Sequence, residues 1–143
     1  MPVPVILVQR ASRRPGIPAS RMIARWARAA LANDLALTVR IVNGVEGRRL
    51  NGTFRARDYA TNVLTFVYGG APPSADIVLC APVIAREARE QGKPLAAHYA
   101  HLTVHGALHA QGLDHDSPRD AKRMEAREIE ILGTLGFGNP YES

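Results

Sequence analysis

The sequence has one cysteine, Cys80, so no disulfide can form within the chain. That absence suits a reducing cytosol, and the expected location is cytoplasmic. No apolar run approaches the ~20 residues of a membrane span, so no membrane partner is expected. The apolar stretch from Val3 to Val8 is too short for a signal-peptide core and lacks the flanks of one. Repeats, low-complexity tracts and long linkers are all missing. Lysine is nearly absent, at 2 residues against 16 arginines, and acids are scarce at the start, with only Asp34 and Glu46 before Asp58. What remains is 143 residues, 46% hydrophobic and 22% charged, the composition of a globular chain. That length predicts a single domain, 1–143, able to bury a core without staples.

The net charge of +5 is unevenly spread. Residues 1–57 carry 11 arginines against two acids, a balance of +9, while residues 58–143 balance at −4. A basic half either marks a phosphate-rich partner or reflects an arginine-rich composition.

Hydrophobic periodicity predicts strands over 3–8, 35–42, 63–68 and 77–80, with the last two joined as a hairpin. Asn43-Gly44 marks a turn after the second strand. Helices are predicted from about 19 to 33, where Met22, Ile23, Trp26, Ala27, Ala30 and Leu31 share a face, over about 82–91 and 95–111, and from 117 until Gly136 stops the last one. Ser117-Pro118-Arg119-Asp120 supplies a cap, a first-turn proline and a first-turn acid for the last helix. The fold class is therefore α+β, one small mixed sheet of about four strands with helices packed on it. Cys80 closes the apolar run Ile77-Val78-Leu79 and reads as buried.

The chemistry concentrates in His105-x3-His109-x5-His115. On a helix, His105 and His109 project from one face a turn apart. Gly112 can adopt a left-handed conformation at the helix end, so that the chain bends and His115 reaches back. Three neutral imidazoles suit Zn²⁺ at about 2.0–2.1 Å and leave a fourth position for water. One zinc per chain, at the end of a helix, is the expectation. His98 and His101 lie on roughly the same face, seven and four residues earlier. They either support the site or are hydrogen-bonded core histidines. The spacing is also similar to that of zinc peptidases, but Gly106 stands where those enzymes carry their glutamate base, which argues against peptidase chemistry.

Two stretches carry a family resemblance. His105-Gly-Ala-Leu-His109-Ala-Gln-Gly112-Leu-Asp114-His115 resembles the H-G-x-L-H-L-x-G-Y-D-H signature of the YbeY family. Leu50-Asn51-Gly-Thr-Phe54-Arg55-Ala-Arg57-Asp58-Tyr-Ala-Thr61-Asn62-Val63-Leu64 is similar to that family's L-N-x-x-Y-R-x-K-D-x-P-T-[DN]-V-L segment, and Asp76-Ile77-Val78-Leu79-Cys80 to its G-D-I-V-I-C strand. Departures are Ala60 for proline, Ala75 for glycine, Leu113 for tyrosine and a shortened loop between Phe66 and Asp76. The resemblance implies a metal-dependent endoribonuclease of the α+β class, acting in 16S rRNA 3′-end maturation and ribosome quality control. It implies metal ligation by His105, His109 and His115, a functional role for Arg55, and RNA of the small ribosomal subunit, with ribosome-associated proteins, as partners.

A guanidinium at Arg55 can grip a phosphate at two points and offset charge on its oxygens. Asp114 either orients a ligand imidazole or sits in the turn; Thr61 and Asn62 either line the cleft or pair within the hairpin. Other readings stay open on residues alone: a ribosome assembly factor with a structural zinc, or a zinc hydrolase for a small substrate.

Overall fold

A computed structural model describes residues 5–32, 34–55 (without the side chains of 54 and 55) and 61–142. The elements run β1 (Val5–Arg10), α1 (Ser20–Ala30), β2 (Ala36–Val42), α2 (Gly44–Arg55), β3 (Val63–Tyr68), β4 (Ser74–Cys80), α3 (Ala81–Gln91), α4 (Leu95–Ala110) and α5 (Pro118–Thr134). The sheet order is β1-β2-β4-β3. β1, β2 and β4 are parallel, and β3 runs antiparallel to β4 as the expected hairpin partner. This is the α+β class with one mixed four-stranded sheet.

Period-two alternation divides the sheet into two faces. Leu37, Val39 and Ile41 of β2 pair in register with Ala75, Ile77 and Leu79 of β4, and all six are buried in one core. α1 and α4 cover that face. α1 contributes Ile23, Trp26, Ala27 and Ala30, four of the six residues of the predicted stripe; Met22 is exposed and Leu31 caps the helix end. α4 is buried on most sides, with ten of its sixteen residues shielded, so it is a core helix. Gly106 lets it approach the sheet closely, because a Cβ there would lie 2.9 Å from Ile77 Cγ2.

The opposite face carries a smaller cluster of Val42, Leu64, Val78, Cys80 and Val83, with Leu50 of α2 packed against it. Cys80 is buried there, and burial pushes its thiol pKa up. α2 departs from the sequence expectation. Asn43-Gly44 is a helix start rather than only the turn expected after β2: the Asn43 side-chain oxygen accepts from the Glu46 amide at 3.2 Å. Arg40 of β2 then grips Glu46 at two points, 2.6 and 2.9 Å. Glycines at 44, 47 and 52 hid this helix, since they lower helix propensity and blank the apolar period. Gly47 has a packing reason: a Cβ there would lie 3.0 Å from the Cys80 sulfur.

Candidate functional site

α4 ends in a Schellman turn, the device that builds the site. The Gly112 amide donates to the His109 carbonyl at 3.1 Å and the Leu113 amide to the Leu108 carbonyl at 3.3 Å. Gly112 sits at φ +98°, the left-handed conformation expected of it. Gln111 fastens the turn to the end of α1, accepting from the Ala32 amide at 2.8 Å and donating to the Ala30 carbonyl at 2.7 Å. The chain reverses, and His115 comes back beside His105 and His109. Ring centres are 6.4 Å apart for His105–His109, 5.5 Å for His105–His115 and 5.8 Å for His109–His115. The three rings share a cavity of about 230 Å³ with Asn51 of α2, Thr61, and Val63 and Thr65 of β3.

Hydrogen bonds decide which nitrogen faces the cavity chemistry. His105 Nδ1 lies 2.5 Å from Glu128 Oε1, and His109 Nδ1 lies 2.9 Å from the Leu113 carbonyl. Both partners are acceptors, so each neutral ring carries its proton on Nδ1 and its lone pair on Nε2. Three imidazoles bound to one zinc at about 2.0–2.1 Å would hold their ring centres about 5 Å apart. The observed spacing is slightly wider than that, and the donor set fits the ion.

A second group overlaps the first. Atoms of His101, His105 and Glu128 lie within 4.8 Å of one another, close enough to be a candidate for holding a metal ion. Ligands sharing one zinc sit roughly 3.3 Å apart by tetrahedral geometry, so the 2.5 Å contact between His105 and Glu128 is a hydrogen bond. With Glu128 fully buried, the cluster reads as a support for the three-histidine group. Burial pushes the Glu128 carboxyl up, but hydrogen bonds from His101, His105 and Tyr141 outweigh it and hold the group at about 2.

His98 is buried and its Nε2 meets Glu87 Oε1 at 2.9 Å; Glu87 also accepts from the Asn62 amide group at 3.0 Å. Burial lowers the His98 pKa, and Glu87 offsets part of that. His101 Nε2 meets Glu128 Oε2 at 3.3 Å and Tyr141 Oη at 3.2 Å. Both are hydrogen-bonded histidines, as one expectation has it, and His101 shares Glu128 with His105, as the supporting alternative has it. Asp114 accepts from the Asp116 amide at 3.3 Å and belongs to the turn. Thr61 lines the cavity, whereas Asn62 pairs outward with Glu87. Arg55 is the last residue of α2, four positions beyond Asn51, and its side chain lies outside the described residues, as do Arg57 and Asp58. Two residues of the site went unrecognised in the sequence. Asn51 is buried at the cavity wall. Glu128 interrupts the apolar stripe of α5 between Met124 and Ile131, and a charge on a buried face was the available signal.

The profile of the family described as Endoribonuclease YbeY matches residues 18–136. The chain belongs to the YbeY family of endoribonucleases. It is 57% identical over 140 residues to Endoribonuclease YbeY of Aromatoleum aromaticum, covering 95% of this chain and 91% of that one. It is 62% identical over 120 residues to Endoribonuclease YbeY of Albidiferax ferrireducens, covering 83% and 81%. The solution structure of TM1509 from Thermotoga maritima superposes with a TM-score of 0.57 at 21% identity, covering 96% of this chain and all of that one, and so shares the fold. One departure from the YbeY signature is explained directly: Leu113 replaces tyrosine, yet it is the Leu113 backbone carbonyl that holds His109. Among the described residues, no helix is long and apolar enough to cross a membrane.

Proposed function

We propose that this YbeY chain is a zinc-dependent endoribonuclease of single-stranded RNA, acting in the cytoplasm in 16S rRNA 3′-end maturation and ribosome quality control. His105, His109 and His115 would hold one zinc ion. The observation that carries this reading is the convergence of three imidazoles, two with protons fixed on Nδ1, in one cavity of an endoribonuclease-family chain. When bound in such a site, zinc supplies Lewis acidity and a bound water with a pKa near ~7. Arg55, at the end of the helix that brings Asn51 to the wall, is assigned to the scissile phosphate, where a planar two-point grip steadies developing charge.

The arginine excess has a location in this reading. Arg21, Arg25 and Arg28 are exposed on the outer face of α1, opposite its buried stripe, and α1 carries no acid. Like charges spaced four apart cost a helix roughly 0.2–0.5 kcal/mol per pair, so a phosphate backbone along that face relieves them.

The test is cleavage of single-stranded RNA by contamination-controlled protein, with and without chelator, beside a His109→Ala variant. Loss of cleavage in both arms is expected. RNA binding without metal-dependent turnover would replace this reading with that of a ribosome assembly factor whose zinc is structural.

A further inference from the structure

Glu128 is a fully buried carboxylate that receives three donors, two from α4 and one from the chain after α5. His105 Nδ1 meets Oε1 at 2.5 Å, His101 Nε2 meets Oε2 at 3.3 Å, and the Tyr141 hydroxyl donates to Oε2. The two histidines stand one turn apart on α4. Tyr141 comes from the chain after α5, a segment with no regular structure of its own. That segment is nevertheless fastened. Gly136, at φ +90°, turns the chain back, and the Phe137 amide donates to the Leu132 carbonyl at 2.9 Å. Phe137 packs edge-on against Trp26 with ring centres 5.6 Å apart. Lys93 Nζ donates to the Pro140 carbonyl at 2.5 Å. Tyr141 then lies edge-on to His101, ring centres 5.2 Å apart, and its hydroxyl reaches Glu128 although the residue as a whole is 45% exposed.

An exposed tyrosine that sends its hydroxyl to a buried carboxylate is placed to complete that carboxylate's donor set. A buried charge missing a donor either rotates or admits water. Either response loosens Oε1, the atom that holds His105 by its far nitrogen. The remaining contacts of the tail fix where Tyr141 stands without touching Glu128.

We propose that Tyr141 and Glu128 are positioning residues for His105, so that the C-terminal segment locks one imidazole of the three-histidine group in its ligating orientation. This rests on the metal reading above. Removing the partner that orients a metal-bound histidine typically weakens metal affinity 10–100-fold.

The experiment measures zinc affinity of the full-length protein by competition with a chelator, with the visible spectrum of the Co²⁺-loaded protein as a second readout. Glu128→Gln should weaken zinc 10–100-fold and Tyr141→Phe about tenfold, each with an altered Co²⁺ spectrum. Tyr141→Phe keeps the ring against His101, so the melting temperature of its metal-free form should stay close to that of the parent. Lys93→Met, which frees the tail at Pro140 only, should weaken zinc less than Tyr141→Phe. If Tyr141→Phe binds zinc as tightly as the parent with an unchanged Co²⁺ spectrum, the positioning role is overturned, whatever Glu128→Gln does to folding. If His105→Ala itself binds zinc undiminished, the metal reading fails instead.

Discussion

The two halves of α4 carry histidines on one helical face, yet they sit in different environments. His98 and His101 face carboxylates through Nε2, and their Nδ1 atoms are buried without a hydrogen-bond partner among the described residues. His105 and His109 are turned the other way: Nδ1 takes the acceptor and Nε2 keeps the lone pair. Spacing alone does not separate the pairs. The first pair packs under α3, α5 and the tail, whereas the second opens to the cavity beneath β3 and α2. A histidine becomes a ligand candidate when an acceptor occupies one nitrogen and a cavity receives the other.

The strongest way to break the comparison is to exchange the losses. His105→Ala combined with His109→Ala should abolish zinc binding and remove at least 10²–10³ of the cleavage rate, since activity then lacks its charge-stabilising centre. His98→Ala should keep zinc near one per chain and instead cost about 1–3 kcal/mol of stability, because Glu87 loses its buried donor. Elemental analysis and thermal melting read the two arms. Acid sharpens the same division. Ligand imidazoles must be neutral, so zinc affinity should fall steeply below pH ~6.5. His98 has a lowered pKa in the fold, so its contribution to stability is present above its unfolded value of about 6.5 and declines as pH falls below it. Zinc affinity that stays flat from pH 7.5 to 5 would contradict an all-histidine site.

These contrasts also mark what was legible in the sequence. The H-x3-H-x5-H spacing and Gly112 foretold the bend, because both follow from local helix geometry and from the freedom of one glycine. The strands and four of the five helices follow from apolar periodicity. α2 did not, since its glycines and arginines erase the period and it packs Leu50 against the smaller apolar cluster rather than filling the main core. Glu128 was hidden for a different reason: it lies 23 residues beyond His105, and only tertiary packing brings the two together. The spacing of the three histidines is local; their contact with Glu128 is not.

Arg55 tests whether the cavity half of α4 has a partner across the cleft. Arg55→Ala and Arg55→Lys should both lower the cleavage rate by about 10²–10³, since an ammonium cannot reproduce the planar grip. Zinc content and melting temperature should change little. Arg57→Ala is the control: equal damage from it would reduce the effect to a general loss of positive charge, and the role given to Arg55 would be wrong.

The smallest effect concerns a residue inside the second half. Gly106 stands beside His105 and faces β4, where an added Cβ would meet Ile77 Cγ2 at 2.9 Å and Cδ1 at 3.1 Å. Ile77 is fully buried in the sheet and has nowhere to retreat. Overpacking of this kind costs about 1–3 kcal/mol, while replacing a helical glycine by alanine returns roughly 0.5–1 kcal/mol. Gly106→Ala should therefore destabilise by about 0.5–2 kcal/mol, and zinc affinity should fall because His105 moves with the backbone. The sign of the effect can be reversed. Ile77→Ala removes the atoms that clash, so adding Gly106→Ala to that variant should be neutral or stabilising, as the new methyl fills part of the cavity. Additive losses in the double variant would mean that the close approach of α4 to β4 does not set the glycine. The same contact bears on the glutamate that zinc peptidases carry at this place: any side chain at 106 would crowd Ile77.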